Sequence, residues 1–340
     1  DNPESFADAI THLLKRPSSC ATLGCHARAS VVEYFDNDRN LKLLCQLLQD
    51  CHATNANPCR GKLLTPEQSK HAPLGGKMMA QPKTIEAVAY PGAQYATAKK
   101  QTVAYVMNGY PRLSETFITH EIYQLERLGM SLRLFSVKRE REDKVHPVVA
   151  AIRSPLTYLP DASSLSNTNL LGWLMRNLPT FWRSNIEVAW RHPVRYMRTL
   201  ISALIMCWRY RPRDGGMRLR KVFMKEFLQA GHIAAELLRN NDVGHLHGHF
   251  CHGVATITWF ASRLTGIPFS FTAHAKDIYQ AELNPGDLLE RKLGAARFVA
   301  TCTCANADVL RARHPRPDDV RTIYHGLDTD YFSPAPRTRV

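Results

Sequence analysis

Beyond Gln101 the chain alternates short apolar runs with amphipathic stretches, and this alternation limits the fold more than any other feature. "TVAYVMNGY" reads as a strand ending in a glycine turn, "SETFITHEIYQLERLG" as a helix closed by Gly129, and "SLRLFSVKR" as a second strand. Further strands lie in "VGHLHGHF", "PFSFTAH", "RFVATCT" and "VRTIYHG", with helices between them in "GVATITWFASRLTG", "PGDLLERKLGAA" and "ANADVLRARH". Apolar strands joined by helices build a parallel sheet covered on both faces, so the expected class is α/β with a doubly wound parallel sheet. Ligands of such sheets bind outside the carboxyl ends of the strands. His249, His274 and the loop "NGYPRLSET" all fall at strand ends, which brings them to one crevice.

Three other segments differ from this pattern. Residues 1–52 read as helices: Asn2 caps a helix with Pro3 at its first position, and Phe6, Ile10, Leu13 and Leu14 follow at helical spacing. Pro17 and Ser18 break it; a second helix runs through Leu23, Ala27 and Val31, and "FDNDRN" opens a third carrying Leu41, Leu44, Leu47 and Leu48. Residues 53–100 show no periodicity and read as a disordered linker. A helical insert spans about 161–241, where Arg176 to Lys225 holds twelve Lys/Arg against two acidic residues, interleaved with Trp182, Trp190, Tyr196, Trp208 and Tyr210. That mixture fits either a solvated basic face over a packed aromatic core or a surface that meets anionic lipid headgroups.

The 340 residues carry a formal charge of +14, which favours polyanionic partners. No helix-turn-helix, zinc-finger or RNA-binding pattern accompanies the charge, so nucleic acid is not the expected partner. Nine scattered cysteines fit free thiols in a reducing cytoplasm; Cys302 and Cys304 read as buried strand cysteines, with a reactive pair the lesser alternative. The longest apolar run, Leu200 to Trp208, is too short to cross a bilayer. The first residue is Asp1 rather than Met, which points to sequence upstream.

The histidines of "HLHGHFCHG" (His245, His247, His249 and His252) invite a metal reading. On a strand the first three share a face with steps of about 7 Å, too wide for neighbours to meet one ion at ~2 Å. No HExxH or paired CxxC motif accompanies them, and no metal is expected.

Several segments resemble family 4 glycosyltransferases of the colanic-acid and exopolysaccharide type. "YVMNGYPRLSETFITHEIYQLERLGMSLRLFSVKR" is similar to their amino-terminal opening; "HLHGHFCHGVATITWFASRLTGIPFSFTAHAKDIY" and "VRTIYHGLDTDYFSP" are similar to later parts of the same domain. The resemblance covers about 101–336 and implies a Rossmann-like acceptor domain of the two-domain GT-B architecture. Residues 1–52 resemble the carboxy-terminal tail of the same family, while the donor domain's "GR…KG" and E-x7-E motifs are absent. The expectation is a fragment joining the end of one transferase to the start of another, from a tandem transferase or a broken reading frame; a tail folded back on its own domain is the lesser alternative.

By this resemblance His274 in "FTAHAKD" is the catalytic candidate, hydrogen-bonding a sugar hydroxyl or stabilising charge as diphosphate leaves; the plain alternative is a structural histidine. Asn108, Gly109, Ser114, Glu115 and Thr116 form a candidate donor-phosphate loop, since a glycine turn before a helix offers open N–H groups, or are simply helix-start residues. Asn108-Gly109 stands where the family often has paired glycines. His249, Lys276 and Asp277 are candidate acceptor contacts, with plain surface placement an equal reading for Lys276 and Asp277, and His245 and His247 packed further back. The implied partners are a nucleotide sugar and a polyprenyl-diphosphate-linked saccharide, with no cofactor, at the inner face of the cell membrane. The implied reaction is retaining sugar transfer in cell-surface polysaccharide assembly. The competing functions are a non-catalytic acceptor- or membrane-binding module and a nucleic-acid binder.

Overall fold

The computed structural model describes residues 3–53, 102–140, 144–165, 169–212 and 219–326. Asn2, the chain beyond Gly326 and all but Ala53 of the expected linker lie outside the described residues.

Three helices come first: α1 (Pro3–Leu14), α2 (Pro17–Tyr34) and α3 (Asn37–Ala53). A single parallel sheet follows, built from β1 (Thr102–Gly109), β2 (Ser131–Lys138), β3 (Leu156–Tyr158), β4 (Val243–His249), β5 (Phe269–Ala273), β6 (Val299–Thr301) and β7 (Val320–Thr322). Their order is β3-β2-β1-β4-β5-β6-β7. The α/β doubly wound class expected from the sequence is the one adopted, and it is Rossmann-like. The six expected strands are joined by β3, an edge strand of three half-buried residues too short to show alternation. The chain steps outward from β1 to β3, then returns to lay β4 on the other side of β1. The strand order therefore reverses between β1 and β4, which opens a crevice at their carboxyl ends.

The two faces of the sheet have separate cores. Val103, Tyr105 and Met107 of β1 face Leu132, Leu134 and Phe298 under α3 and α4 (Thr116–Arg127). After α4 the chain turns at Gly129, whose φ of 84° favours glycine, and Met130 donates back to the Leu125 carbonyl at 3.0 Å. Ala104, Val106, Phe135, Leu246 and Phe271 point the other way, beneath α5 (Leu170–Arg191), α6 (Pro193–Arg209), α7 (Val222–Asn240) and α8 (Val254–Thr265). Within the insert, α7 is the inner helix: Phe223, Phe227, Ile233 and Ala234 are buried on several sides, as expected of a helix apolar all round. Three shorter helices follow, α9 (Ala275–Tyr279), α10 (Leu288–Ala295) and α11 (Cys304–Arg313).

Helix α3 of the N-terminal segment packs on this domain. Leu41, Leu44 and Leu48 of α3 enter the same core cluster as Tyr105, Ile118 and Ile122. The Phe35 and Tyr324 rings lie 4.9 Å apart, and a Cβ on Gly326 would run into Asn37. The leucine spacing of α3 supplied the apolar stripe, and the sheet's first face is what covers it. Leu48 is fully buried, so Leu48→Ala should cost about 2–5 kcal/mol through lost contacts and a residual cavity. A urea midpoint within error of the wild type would mean that α3 is not seated there.

Candidate functional site at the carboxyl ends of the strands

Alternation along β4 puts His245, His247 and His249 on the face shared by Tyr105 and Phe298, all three fully buried. Parallel register sets His247 opposite Ser270 and His249 opposite Thr272, which supplies partners for the buried rings. The Ser270 hydroxyl lies 2.7 Å from both His245 Nε2 and His247 Nδ1, and Thr272 Oγ1 lies 3.0 Å from His247 Nε2. Glu121 of α4 reaches down to His249 Nε2 at 2.9 Å, and the same oxygen accepts from the Tyr105 hydroxyl at 2.9 Å. The 7 Å steps expected along a strand do not hold at the ring tips. His247 and His249 turn edge to face, and their ligand atoms come within 4.8 Å of each other and of Glu121. Both His247 nitrogens and His249 Nε2 are held in hydrogen bonds here, while His249 Nδ1 has no partner among the described residues.

His274 ends β5 and begins α9. Its ring stacks against His325 at 5.5 Å, with Phe250 at 4.7 Å, Phe117 at 5.1 Å and His249 at 6.1 Å. It is 9% exposed, and its Nε2 has no hydrogen-bond partner among the described residues. A buried polar atom left open in this way is an available ligand contact. Phe250 is held at φ 78°, a left-handed backbone that a bulky residue adopts only when its surroundings impose it. Those surroundings are the bond from its N–H to the Thr272 carbonyl at 2.8 Å and the anchoring of the next residue by Asp277.

Asp277 itself turns inward. Its Oδ1 accepts the His274 N–H at 3.0 Å, and its Oδ2 accepts the Cys251 N–H and lies 3.9 Å from His252 Nδ1. Burial favours the protonated acid, but the His252 and Cys251 contacts outweigh it and hold the pKa below the ordinary carboxylate value. The carboxylate of Asp277, expected as an acceptor contact, is fully buried and engaged by two backbone N–H groups. Lys276, one residue earlier, is exposed on the first turn of α9.

The residues of the expected donor-phosphate loop take several positions. Arg112 pairs with Glu115 at 2.8 Å and with Glu140 at 3.5 Å, and a Cβ on Gly109 would meet the Glu140 side chain. A carboxylate thus covers the backbone where phosphate was expected, and it would repel an anion. Ser114 is exposed, while Glu115 and Thr116 are half-buried at the junction of a 3-10 turn and α4. Asn108 takes a different position, lining a recess of about 230 Å³ at the β1–β4 reversal together with Lys138, Arg220, Lys225, Glu226 and His252. Glu226 Oε2 is buried there without a hydrogen-bond partner among the described residues. Burial pushes its carboxyl up to about 7 against the opposing pull of Lys292 and Lys225. Lys292 is fully buried behind the recess, donating to the Cys251 carbonyl and to Asn284 Oδ1, each at 2.8 Å.

Cys302 and Cys304 follow β6 instead of lying inside it; Cys302 is half-buried and Cys304 exposed, which corrects the buried-strand expectation. Cys302 joins His274 and His325 in a second group whose ligand atoms lie within 4.8 Å of one another. Burial pushes the Cys302 thiol up, away from the thiolate that binds metals. Phe117, Glu121, His325 and Glu226 were not singled out from sequence. His325 sits just beyond a strand, so the strand-end rule already applied to His274 would have found it. Glu226 is a lone acid in the apolar helix "VFMKEFLQAGHI".

The buried rings make the fold acid-sensitive. Burial first, and the neighbouring His249 second, lower His247 and His274 from 6.5 to about 3. The unfolded chain takes up these protons below about pH 6.5, and the folded one does not until about pH 3. Stability is therefore complete above 6.5 and falls with pH between 6.5 and 3, by about 1.4 kcal/mol per pH unit for each ring. Urea midpoints measured from pH 7 to pH 4 should fall accordingly; a flat series would mean that neither ring is shielded.

Residues 208–331, about a third of the chain, match the family model described as Glycosyltransferase Family 4. No curated protein matches the sequence. Among solved structures, the apo form of a lipopolysaccharide outer core galactosyltransferase, WaaB, matches at 10% identity with a TM-score of 0.38. That match covers 66% of this chain, and the chain spans 45% of WaaB's length.

Proposed function

We propose that this chain carries the acceptor-binding half of a glycosyltransferase. It takes a sugar from a nucleotide diphosphate donor to a polyprenyl-diphosphate-linked saccharide, in cell-surface polysaccharide assembly at the cytoplasmic face of the membrane. The observation that carries the reading is the recess at the β1–β4 reversal, where Lys138, Arg220 and Lys225 stand around an open Glu226 oxygen. Cations there suit a diphosphate, and an unpartnered buried carboxylate oxygen suits a sugar hydroxyl. The match of residues 208–331 to the family model supports the reaction class.

In the transfer, the acceptor hydroxyl oxygen bonds to the anomeric carbon as the bond from that carbon to the donor diphosphate breaks, and the hydroxyl proton leaves with the diphosphate. Retention of configuration rests on the family resemblance. His274 serves as a neutral imidazole, since its depressed pKa leaves it uncharged at pH 7. Of its two expected roles, a hydrogen bond to a sugar hydroxyl through Nε2 fits this state, and charge stabilisation by an imidazolium does not. Asp277 fixes the start of α9 and so aims the ring. His249 is held by Glu121 and packs behind His274, while Lys276 is free to meet solvent-borne phosphate. The reading calls for no metal.

The test is acceptor-dependent release of nucleoside diphosphate, with UDP- and GDP-linked hexoses offered alongside a lipid-linked saccharide. Release that requires both substrates supports transfer. Binding of the lipid-linked saccharide with no release from any donor would favour the non-catalytic acceptor-binding module.

A further inference from the structure

Helices α5 and α6 are apolar on two opposite sides, and only one side is covered among the described residues. Inward, Trp173, Phe181 and Val188 of α5 and Ala203, Met206 and Cys207 of α6 enter the core. Outward, α5 shows Leu171, Met175, Trp182, Ile186 and Trp190, spaced by three or four residues or their sum so that they form one stripe. The outward stripe of α6 is Val194, Met197, Ile201, Ile205 and Trp208. These side chains lie well out in solvent, Trp190 at 87% exposure and Leu171 at 69%. The packed aromatic core expected for this insert holds for Tyr210, which is buried, and for Tyr196, which packs on Phe227, and fails for the three tryptophans. An exposed apolar face of this extent marks an interaction surface.

Charge selects the partner. Between Asn169 and Pro212 the chain has seven arginines and a single acidic residue, Glu187, which is already paired with Arg191 and Arg239. Arg176, Arg183 and Arg198 are exposed along the same helices, and Arg211 lies 4.6 Å over the Trp208 ring. Aliphatic and indole groups in a stripe flanked by arginines need an apolar phase bordered by anions. A nucleic acid offers the anions without the aliphatic phase. No helix among the described residues is long and apolar enough to cross a membrane, so this pair would lie in the plane of the interface.

We propose that the outward face of α5 and α6 docks this protein on an anionic lipid bilayer, with Trp182, Trp190 and Trp208 entering the headgroup layer. The surface ends beside the recess: Tyr210, just past α6, bonds Asp287 at 2.7 Å, and Leu288 next to it lines that recess. Docking therefore holds the recess near lipid-borne ligands. The inference does not rest on sugar transfer, because vesicle binding and transfer are measured separately.

The experiment is flotation of the whole chain with vesicles of phosphatidylcholine alone or with about one-third phosphatidylglycerol. Wild type should bind the anionic vesicles at least tenfold better than the neutral ones and lose that preference in high salt. The triple variant Trp182→Ser, Trp190→Ser, Trp208→Ser should keep its melting temperature, since the three rings are solvent-exposed, and lose binding at least tenfold. Light scattering without vesicles completes the test. Equal binding to both vesicles, full binding by the triple variant, or a lipid-free dimer that the triple variant dissolves would each overturn the assignment, the last in favour of a second copy of the chain.

Discussion

Replacing His274 with phenylalanine should slow sugar transfer by roughly 10²–10³-fold while leaving the fold intact, the size of effect seen when one preorganised hydrogen-bonding group is removed from an active site. Phenylalanine preserves the ring contacts with Phe117, Phe250 and His325, each with centroids between 4.7 and 5.5 Å, so packing survives. The nitrogens are lost, the open Nε2 and also the side-chain acceptor of the Asp277 N–H in the α9 capping box. A loss of about 1 kcal/mol in stability therefore accompanies the loss of rate. Because burial already keeps the imidazole neutral at pH 7, the loss should show in kcat across neutral pH without removing a titration near 6.5. His274→Ala should be as slow and less stable, since it also forfeits aromatic contacts worth about 0.5–1.5 kcal/mol each. Transfer at the wild-type rate by the phenylalanine variant would remove the imidazole from the reaction.

The sequence made the sheet legible because its central strands are long enough to show their burial. Eight residues of β1 and seven of β4 are nearly all buried, and such runs have few other uses than a covered parallel strand. β3 has three half-buried residues at the sheet edge and gives no periodic signal. The packing of α3 on this domain is the lesser expectation from sequence for a different reason. A leucine stripe shows that a helix must be covered without showing by what, and the partner face on β1 and α4 lies across a segment with no readable pattern.

At the site, sequence position predicted neighbourhood better than role. His249 and His274 do meet, because strand ends in one sheet are forced together. Which way a carboxylate points is a local matter: Asp277 follows His274 by three residues on a new helix, the spacing at which a side chain returns to the helix-start N–H, and it caps inward. Glu140, from beyond the end of the neighbouring strand, lies against Gly109, a contact no spacing could reveal. The tryptophans of α5 and α6 show the converse. Their number was plain from composition, while their exposure depended on which side α7 would occupy.

Asp277→Ala should be the most destabilising single change at the site, about 3–5 kcal/mol. The carboxylate satisfies two backbone N–H groups, those of His274 and Cys251, and alanine leaves both donors without their acceptor in a region closed to water. The Cys251 bond matters most, since it helps to hold the left-handed turn at Phe250 whose ring packs on His274. Asp277→Asn distinguishes charge from geometry. Its carbonyl oxygen can keep one of the two N–H groups, but its NH₂ must then face the other donor, so it should recover part of the alanine loss and no more. At about 2–4 °C per kcal/mol for a domain of this size, the alanine variant should melt lower by roughly 6–20 °C. Transfer should fall in both variants, mainly in kcat, because α9 no longer fixes the His274 ring. If alanine melts within about 1 °C of wild type, below the shift expected from losing even one hydrogen bond, the brace does not exist and the aim of His274 must come from the stacked rings alone.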